Sequence, residues 1–197
     1  ENIVAISIAT RPDAISDEVI NYLGKLNKKI PVWIELGLQT IHSKTANFIN
    51  RGYQLDVFTS TISKLRRQNL EIIIHIINGL PYETKEMMLE TINFLNQCDI
   101  QGIKIHSLFI LENTILGKIY RTNPFPILSL EEYVDIVTEQ LALLRPDIVV
   151  HRINGDAPKE ELIAPLWSQK KFIVMNEIDK EMKKRDYYQG CKYQRSE

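Results

Sequence analysis

Cysteine is nearly absent from this chain, with two in 197 residues, Cys98 and Cys191. Two cysteines so far apart build no disulfide framework. Neither stands in a metal-ligand spacing, so each reads as a packed or surface thiol in a reducing, cytoplasmic compartment. Long apolar runs are also missing. No stretch approaches the roughly 20 residues that span a bilayer, and Ile72-Ile73-Ile74 is only strand-sized, so no membrane partner is expected. No charged-then-apolar leader opens the chain. It begins at the edge of an apolar run, as a cut within a domain would look. An excess of one charge is missing: the net charge is -1, so no overall field draws the chain to nucleic acid. There is no G-x-S-x-G, no Walker loop and no G-x-G-x-x-G, so those mechanisms lack support. The four histidines, His42, His75, His106 and His151, follow different elements without a helical ligand spacing, and no metal site is expected within the chain.

What is present is an alternation of short apolar runs with longer amphipathic ones. Strands are expected at residues 2–8, 32–38, 71–77, 103–108 and 147–152. Helices are expected at 15–27, from 43, and at 55–68, 83–97, 129–144 and 166–185. Asp13 or Ser16 can cap the first helix. Phe58, Ile62 and Leu65 share a face of the third. Ser129 with Glu132 three residues later forms a capping box. The run Glu71 to Ile77 is apolar on both faces, as in a parallel strand covered by helices. Strands alternating with helices predict an α/β parallel sheet, as a barrel or doubly wound. No linker rich in Pro, Gly or Ser divides the chain, which reads as one domain with a C-terminal extension.

In parallel α/β folds ligands bind at the C-terminal ends of strands. That rule selects Thr10, Arg11 and Asp13; Glu35, Gln39 and Thr40; His75, Asn78 and Gly79; His106 and Ser107; and His151, Arg152, Asn154 and Asp156. Each has a plainer reading. Residues 10–13 make a turn whose Asp caps the next helix, with the Arg paired on the surface. Glu35, inside an apolar strand, needs a partner and finds it in a structural ion pair. His75 sits in the core with one satisfied hydrogen bond. Residues 78–81 end a strand.

The stretch Ile34-Glu35-Leu36-Gly37-Leu38-Gln39-Thr40, followed by Asn50-Arg51-Gly52-Tyr53, resembles the G-x-Q-[ST] … R-G-[HY] signature of radical S-adenosylmethionine (radical SAM) enzymes. The form is that of oxygen-independent coproporphyrinogen oxidases and the elongator catalytic subunit. Gly79-Leu80-Pro81 matches the G-L-P ending the next strand in those families, and residues 7–13 match a strand carrying T-R-P-D in the elongator-like group. Residues 151–158, 162–171 and 188–190 are similar to one uncharacterised bacterial branch of that group.

The resemblance implies a partial TIM-like (βα)6 radical SAM barrel, truncated at its N-terminal side. Residues 1–152 would form the barrel portion and 153–197 a C-terminal helical extension. It implies S-adenosylmethionine and a 4Fe-4S cluster as cofactors of the parent protein. The cluster is held there by C-x-x-x-C-x-x-C, which this chain lacks. The chain alone is therefore expected to be inactive, with no cofactor bound. Carried over residue by residue, Arg51 matches the position pairing with the SAM carboxylate. Gln39 matches a contact to the methionine or ribose part, and Glu35 a contact to the amino group. His75 stands where the coproporphyrinogen oxidases place an Asp for the ribose hydroxyls. Gly79 would let the backbone approach the adenine. Arg11, Asp13, His151, Arg152 and Asp156 are candidates for contact with substrate. An electron donor is implied for the parent. The elongator relationship suggests tRNA modified at a wobble uridine, and the basic, Tyr-containing segment 168–197 is a plausible RNA surface or a solvated helix with a frayed tail. The alternatives are a non-catalytic RNA- or protein-binding barrel and an unrelated TIM-like hydrolase or lyase. A raw barrel edge would invite a dimer.

Overall fold

The computed structural model describes residues 3–194. Five strands form one sheet in the order β1-β2-β3-β4-β6. They are β1 (Ile6–Thr10), β2 (Val32–Gln39), β3 (Glu71–Asn78), β4 (Gly102–Ser107) and β6 (Val149–Arg152). β1 pairs with β2, and β2 with β3, in parallel. The helices between them are α1 (Asp17–Asn27), α2 (Ser43–Phe48), α3 (Leu55–Arg67), α4 (Lys85–Asn96), α5 (Ile115–Thr122) and α6 (Leu130–Leu143). Strand–helix alternation thus gives the parallel α/β fold that the sequence predicts.

The first strand lies later than its apolar run suggests. Asn2 is outside the described residues, and Ile3 and Val4 are exposed. Its position is set by the partner, with Ile6 opposite Val32 and Thr10 opposite Leu36. Cα packing groups the chain into two compact units that interleave in sequence. The first is Glu1–Ile76, Phe94–Lys104 and Asp147–His151; the second is Ile77–Asn93, Ile105–Pro146 and Arg152–Glu197. Four of the five borders fall inside β3, α4, β4 and β6, where no shift of composition could announce them, and the fifth lies between Pro146 and Asp147.

In the first unit, β2 alternates strictly. Val32, Ile34, Leu36 and Leu38 are fully buried, and α1 packs on the strand. Trp33, Glu35, Gly37 and Gln39 occupy the other side and stay half-buried. Each buried aliphatic stabilises the fold by about 1.5–3 kcal/mol relative to an exposed one. A one-residue slip would bury Glu35 in their place, so the register is firmly set. Ser16 caps α1 by accepting from Val19 N–H at 3.3 Å.

In the second unit, α6 packs on α7 (Lys171–Lys184). A short antiparallel pair joins β5 (Ile110–Leu111) to β7 (Leu162–Ala164). The long helix expected over 166–185 is divided. A 3-10 turn covers Leu166–Gln169, and α7 begins after Lys170, whose backbone (φ -98°, ψ 56°) is not helical. Arg185 holds the end of α7 to α6 through Asp135 at 2.7 Å and Glu139 at 2.9 Å. Among the described residues no helix is long and apolar enough to cross a membrane.

The capping box on α6 is present. Ser129 Oγ accepts from Glu132 N–H at 3.1 Å, and Glu132 Oε2 accepts from Ser129 N–H at 2.7 Å. Ser129→Ala is expected to cost about 1 kcal/mol, read as a lower urea midpoint at unchanged slope. An unchanged midpoint would contradict that role.

Candidate functional site

The open side of the sheet in the first unit carries one cluster of charge. Ser7 from β1, Glu35 from β2, His75 from β3 and Lys104 from β4 converge on a single carboxylate. Ser7 Oγ donates to Glu35 Oε1 at 2.7 Å, Lys104 Nζ donates to Oε2 at 2.6 Å, and His75 Nε2 lies 2.7 Å from Oε2. The convergence follows from the pleat: side chains two apart on a strand share a face, and each of these elements has a polar residue there. The Glu35 side chain is 14% exposed, with Lys104 at 18% and His75 at 24%. Burial alone would raise the carboxyl pKa. The bonds from Lys104, Ser7 and His75 outweigh it and bring the pKa down to about 2. Glu35 is therefore a fixed anion in a partly dry surrounding. This is the ion pair that the plainer reading of Glu35 called for.

Four residues further along β2, the backbone turns sharply. Gln39 has φ 66°, and Thr40 N–H donates across it to Leu38 O at 2.8 Å. The pairing register with β3 shifts between Gly37 and Gln39. The Gln39 amide folds back over Gly37, where an added Cβ would sit 2.6 Å from Gln39 Nε2. Arg51 is buried beside this turn. Its Nη1 donates to Leu38 O at 3.2 Å and Thr40 O at 2.6 Å, and its Nε and Nη2 donate to Tyr53 O at 3.1 and 3.0 Å. Those bonds use four of the five N–H donors of a guanidinium. The Tyr53 ring lies 4.5 Å from Arg51 Cζ, and the Tyr53 hydroxyl donates to Gly37 O. Burial pushes the Tyr53 hydroxyl pKa up to about 12, so it stays a donor.

Two family models cover most of the chain: the Radical SAM superfamily over residues 1–95 and the Radical_SAM C-terminal domain over residues 100–184. The chain belongs to the radical SAM superfamily. It is 44% identical to the uncharacterized protein YtqA of Bacillus subtilis over 197 residues, all of this chain and 61% of that protein. It is 25% identical to the tRNA uridine(34) acetyltransferase of Methanocaldococcus jannaschii over 163 residues, 81% of this chain and 30% of that enzyme. The solved structure of Methanocaldococcus infernus Elp3 with an N-terminal deletion superposes with a TM-score of 0.84 at 22% identity. That match covers 94% of this chain and 43% of that one. The fold is thus that of the TIM-like radical SAM barrels, and the chain spans about three fifths of its bacterial relative.

The other residues that the sequence singled out in this radical SAM chain are placed as follows. In the first unit, Arg11 and Asp13 pair with each other through two bonds of 2.9 and 2.6 Å, so Asp13 holds the arginine and the cap of α1 is Ser16. The Arg11 guanidinium also covers Gly52, where an added Cβ would sit 2.7 Å from its Nη2. His151 is exposed, edge-on to Trp33 at 6.2 Å. In the second unit, Gly79 has φ 81°, and Leu128 fills the space that a Cβ would need. The glycine is thus required by its own backbone and by packing. Asp156 pairs with Lys171 at 2.9 Å, and the bond from Lys171 lowers its pKa. Arg152 is half-buried.

Lys104 is the residue that sequence reasoning missed. The signal was there: in Gly102-Ile103-Lys104-Ile105-His106, the lysine alternates with isoleucines, which puts it on the polar side of the strand. Among the described residues no group of three His, Cys, Asp or Glu could hold an ion, and Cys98 and Cys191 belong to different units.

Proposed function

We propose that this chain supplies the face of a radical SAM enzyme that receives S-adenosylmethionine. The observation that carries the reading is the polar side of β2, with the fixed anion Glu35 and the strained turn at Gln39 near the C-terminal end of a parallel strand, where such folds bind ligands. Backbone strain of this kind collects at functional sites. In enzymes of this class, bound S-adenosylmethionine supplies a deoxyadenosyl radical after one-electron reductive cleavage.

This chain's residues suit the cosubstrate. Glu35, kept ionised by Lys104, Ser7 and His75, accepts hydrogen bonds from an ammonium group. The Gln39 amide donates and accepts at once and so can serve a ribose hydroxyl. His75 shares the polar face beside them and is the second candidate for the ribose. They do not suit the 4Fe-4S cluster, which needs thiolates that the described residues do not group together. We assign the cluster, and the electron donor that reduces it, to parts of the full-length protein outside this chain. No step through the cluster is given to the residues described here.

For the second substrate we propose a transfer RNA. Support comes from the name of the Methanocaldococcus jannaschii relative and from α7. There Lys180, Lys183 and Lys184 are exposed and, among the described residues, pair with neighbours on their own helix, weak pairs that phosphates can displace. Binding should then fall steeply with salt, and no binding at low salt would contradict the RNA reading.

The direct test of the enzyme reading is release of 5′-deoxyadenosine by the full-length protein, loaded with its cluster and given a reductant. Wild type should release it, and Gln39→Ala should lower kcat/KM for S-adenosylmethionine about tenfold, the effect of one hydrogen bond to a ligand. A cluster-loaded protein that releases none would overturn the enzyme reading and favour a binding module.

A further inference from the structure

We infer that Arg51 is a positioning residue, which holds a strained turn closed so that the Gln39 side chain stays on the polar face of β2. The inference starts from the backbone. With φ 66°, Gln39 lies in a region that costs a residue bearing a Cβ on the order of 1–3 kcal/mol. The turn is closed by one bond across a single residue, Thr40 N–H to Leu38 O at 2.8 Å, the rare γ-turn form with positive φ. Such a turn persists only where its surroundings over-determine it.

Those surroundings are mostly one side chain. Arg51 Nη1 reaches both carbonyls flanking Gln39, Leu38 O and Thr40 O. Its Nε and Nη2 bond Tyr53 O, which anchors the guanidinium to the loop before α3. Tyr53 adds the carbonyl of Gly37 through its hydroxyl. Together Arg51 and Tyr53 bind the carbonyls of residues 37, 38 and 40 and leave that of Gln39 alone. Arg51 is 7% exposed. A buried guanidinium is a costly group unless hydrogen-bonded, and most of its bonds act on this turn and its anchor. Gly37 completes the arrangement, because a Cβ there would push the folded-back Gln39 amide out of its place. A lysine at position 51 would keep the charge, but its single ammonium cannot span these carbonyls as a planar fork does.

The clamp itself stands without any ligand. Only its last consequence, an effect on cosubstrate affinity, rests on the reading of Gln39 as a contact to S-adenosylmethionine. The experiment therefore has two arms, both on the full-length protein.

The first arm measures hydrogen exchange of the Thr40 amide without ligand. Arg51→Lys should speed it at least about tenfold, while Ile62 and Leu65 in α3 stay within about twofold of wild type. Adding Gln39→Gly, for which positive φ carries no penalty, should bring Thr40 exchange back toward wild type. That rescue would not follow from a merely structural arginine. Unchanged Thr40 exchange in Arg51→Lys would overturn the inference. If Arg51→Lys does not fold, Gln39→Gly must restore folding, and a double variant that also fails to fold overturns it.

The second arm measures affinity for S-adenosylmethionine. Arg51→Lys and Gln39→Ala should each weaken it about tenfold, and the two together no further. A double variant weakened about a hundredfold would mean that Arg51 grips the ligand independently, which overturns the positioning role. If affinity is unchanged in all variants while exchange behaves as stated, the clamp stands and Gln39 is not a ligand contact.

Discussion

Lys104→Met is expected to lower stability by about 2 kcal/mol at neutral pH and to move the onset of acid unfolding to higher pH. The Glu35 carboxyl is held at about 2, against 4.5 for an ordinary glutamate. A difference of that size is worth at most about 3 kcal/mol, and water on the open side of the cluster brings it nearer 2 kcal/mol. The sign follows from proton binding. The unfolded carboxyl binds a proton more tightly than the folded one. Its contribution is therefore complete above about pH 4.5 and is lost as pH falls through about 2. Removing Lys104 takes away one of the two strong donors to Oε2 and leaves a half-buried anion short of a partner, the costly way to break an ion pair. Glu35→Leu combined with Lys104→Met should recover most of the loss, because an apolar replacement of both partners is often neutral. Urea unfolding between pH 2 and 7 reads both effects. Equal stability and an unshifted acid limb in Lys104→Met would show that the cluster is not electrostatically coupled. If the double variant is as stable as wild type, stability does not explain why four charged or polar side chains share this face, and a ligand does.

The second large effect is expected in the other unit. Asn78, at the end of β3, and Gln140, on α6, exchange two amide bonds of 2.7 and 2.9 Å, and Gln140 also donates to Met88 O at 3.2 Å. Gln140 is 0% exposed and Asn78 2%. Gln140→Leu keeps the volume but leaves both polar ends of Asn78 without a partner in a dry site. The expected cost is about 2–4 kcal/mol. Asn78→Leu added to it should recover part of that, since losing both partners together costs less than orphaning one. Denaturant midpoints of the two single variants and the double variant give the coupling directly. A Gln140→Leu loss below about 1 kcal/mol would mean that a water replaces the amide.

Much of this was legible in the sequence, because it rests on local rules. Ser129 and Glu132 announced the start of α6, and the apolar alternation of Val32 to Leu38 announced β2 and its buried side. The rule that parallel strands bind ligands at their C-terminal ends points to Glu35, Gln39 and His75, which share the polar face of the first unit's sheet. What the sequence hid depends on partners distant along the chain. Nothing near Glu35 says that its carboxylate meets a lysine 69 residues later. The γ-turn at Gln39 is built by Arg51, twelve positions on, in a motif that the family resemblance explains by ligand contact alone. The strand pair β5–β7 is too short for any periodicity. Lys170 divides a helix whose apolar pattern runs on without a break.

The central claim is that S-adenosylmethionine meets this chain on the polar side of β2. Amide chemical shifts of the full-length protein, titrated with S-adenosylmethionine, test it most directly. The account predicts saturable shifts centred on Gly37, Gln39, Thr40 and His75, with α7 unmoved. Saturable binding that leaves those amides in place would contradict it.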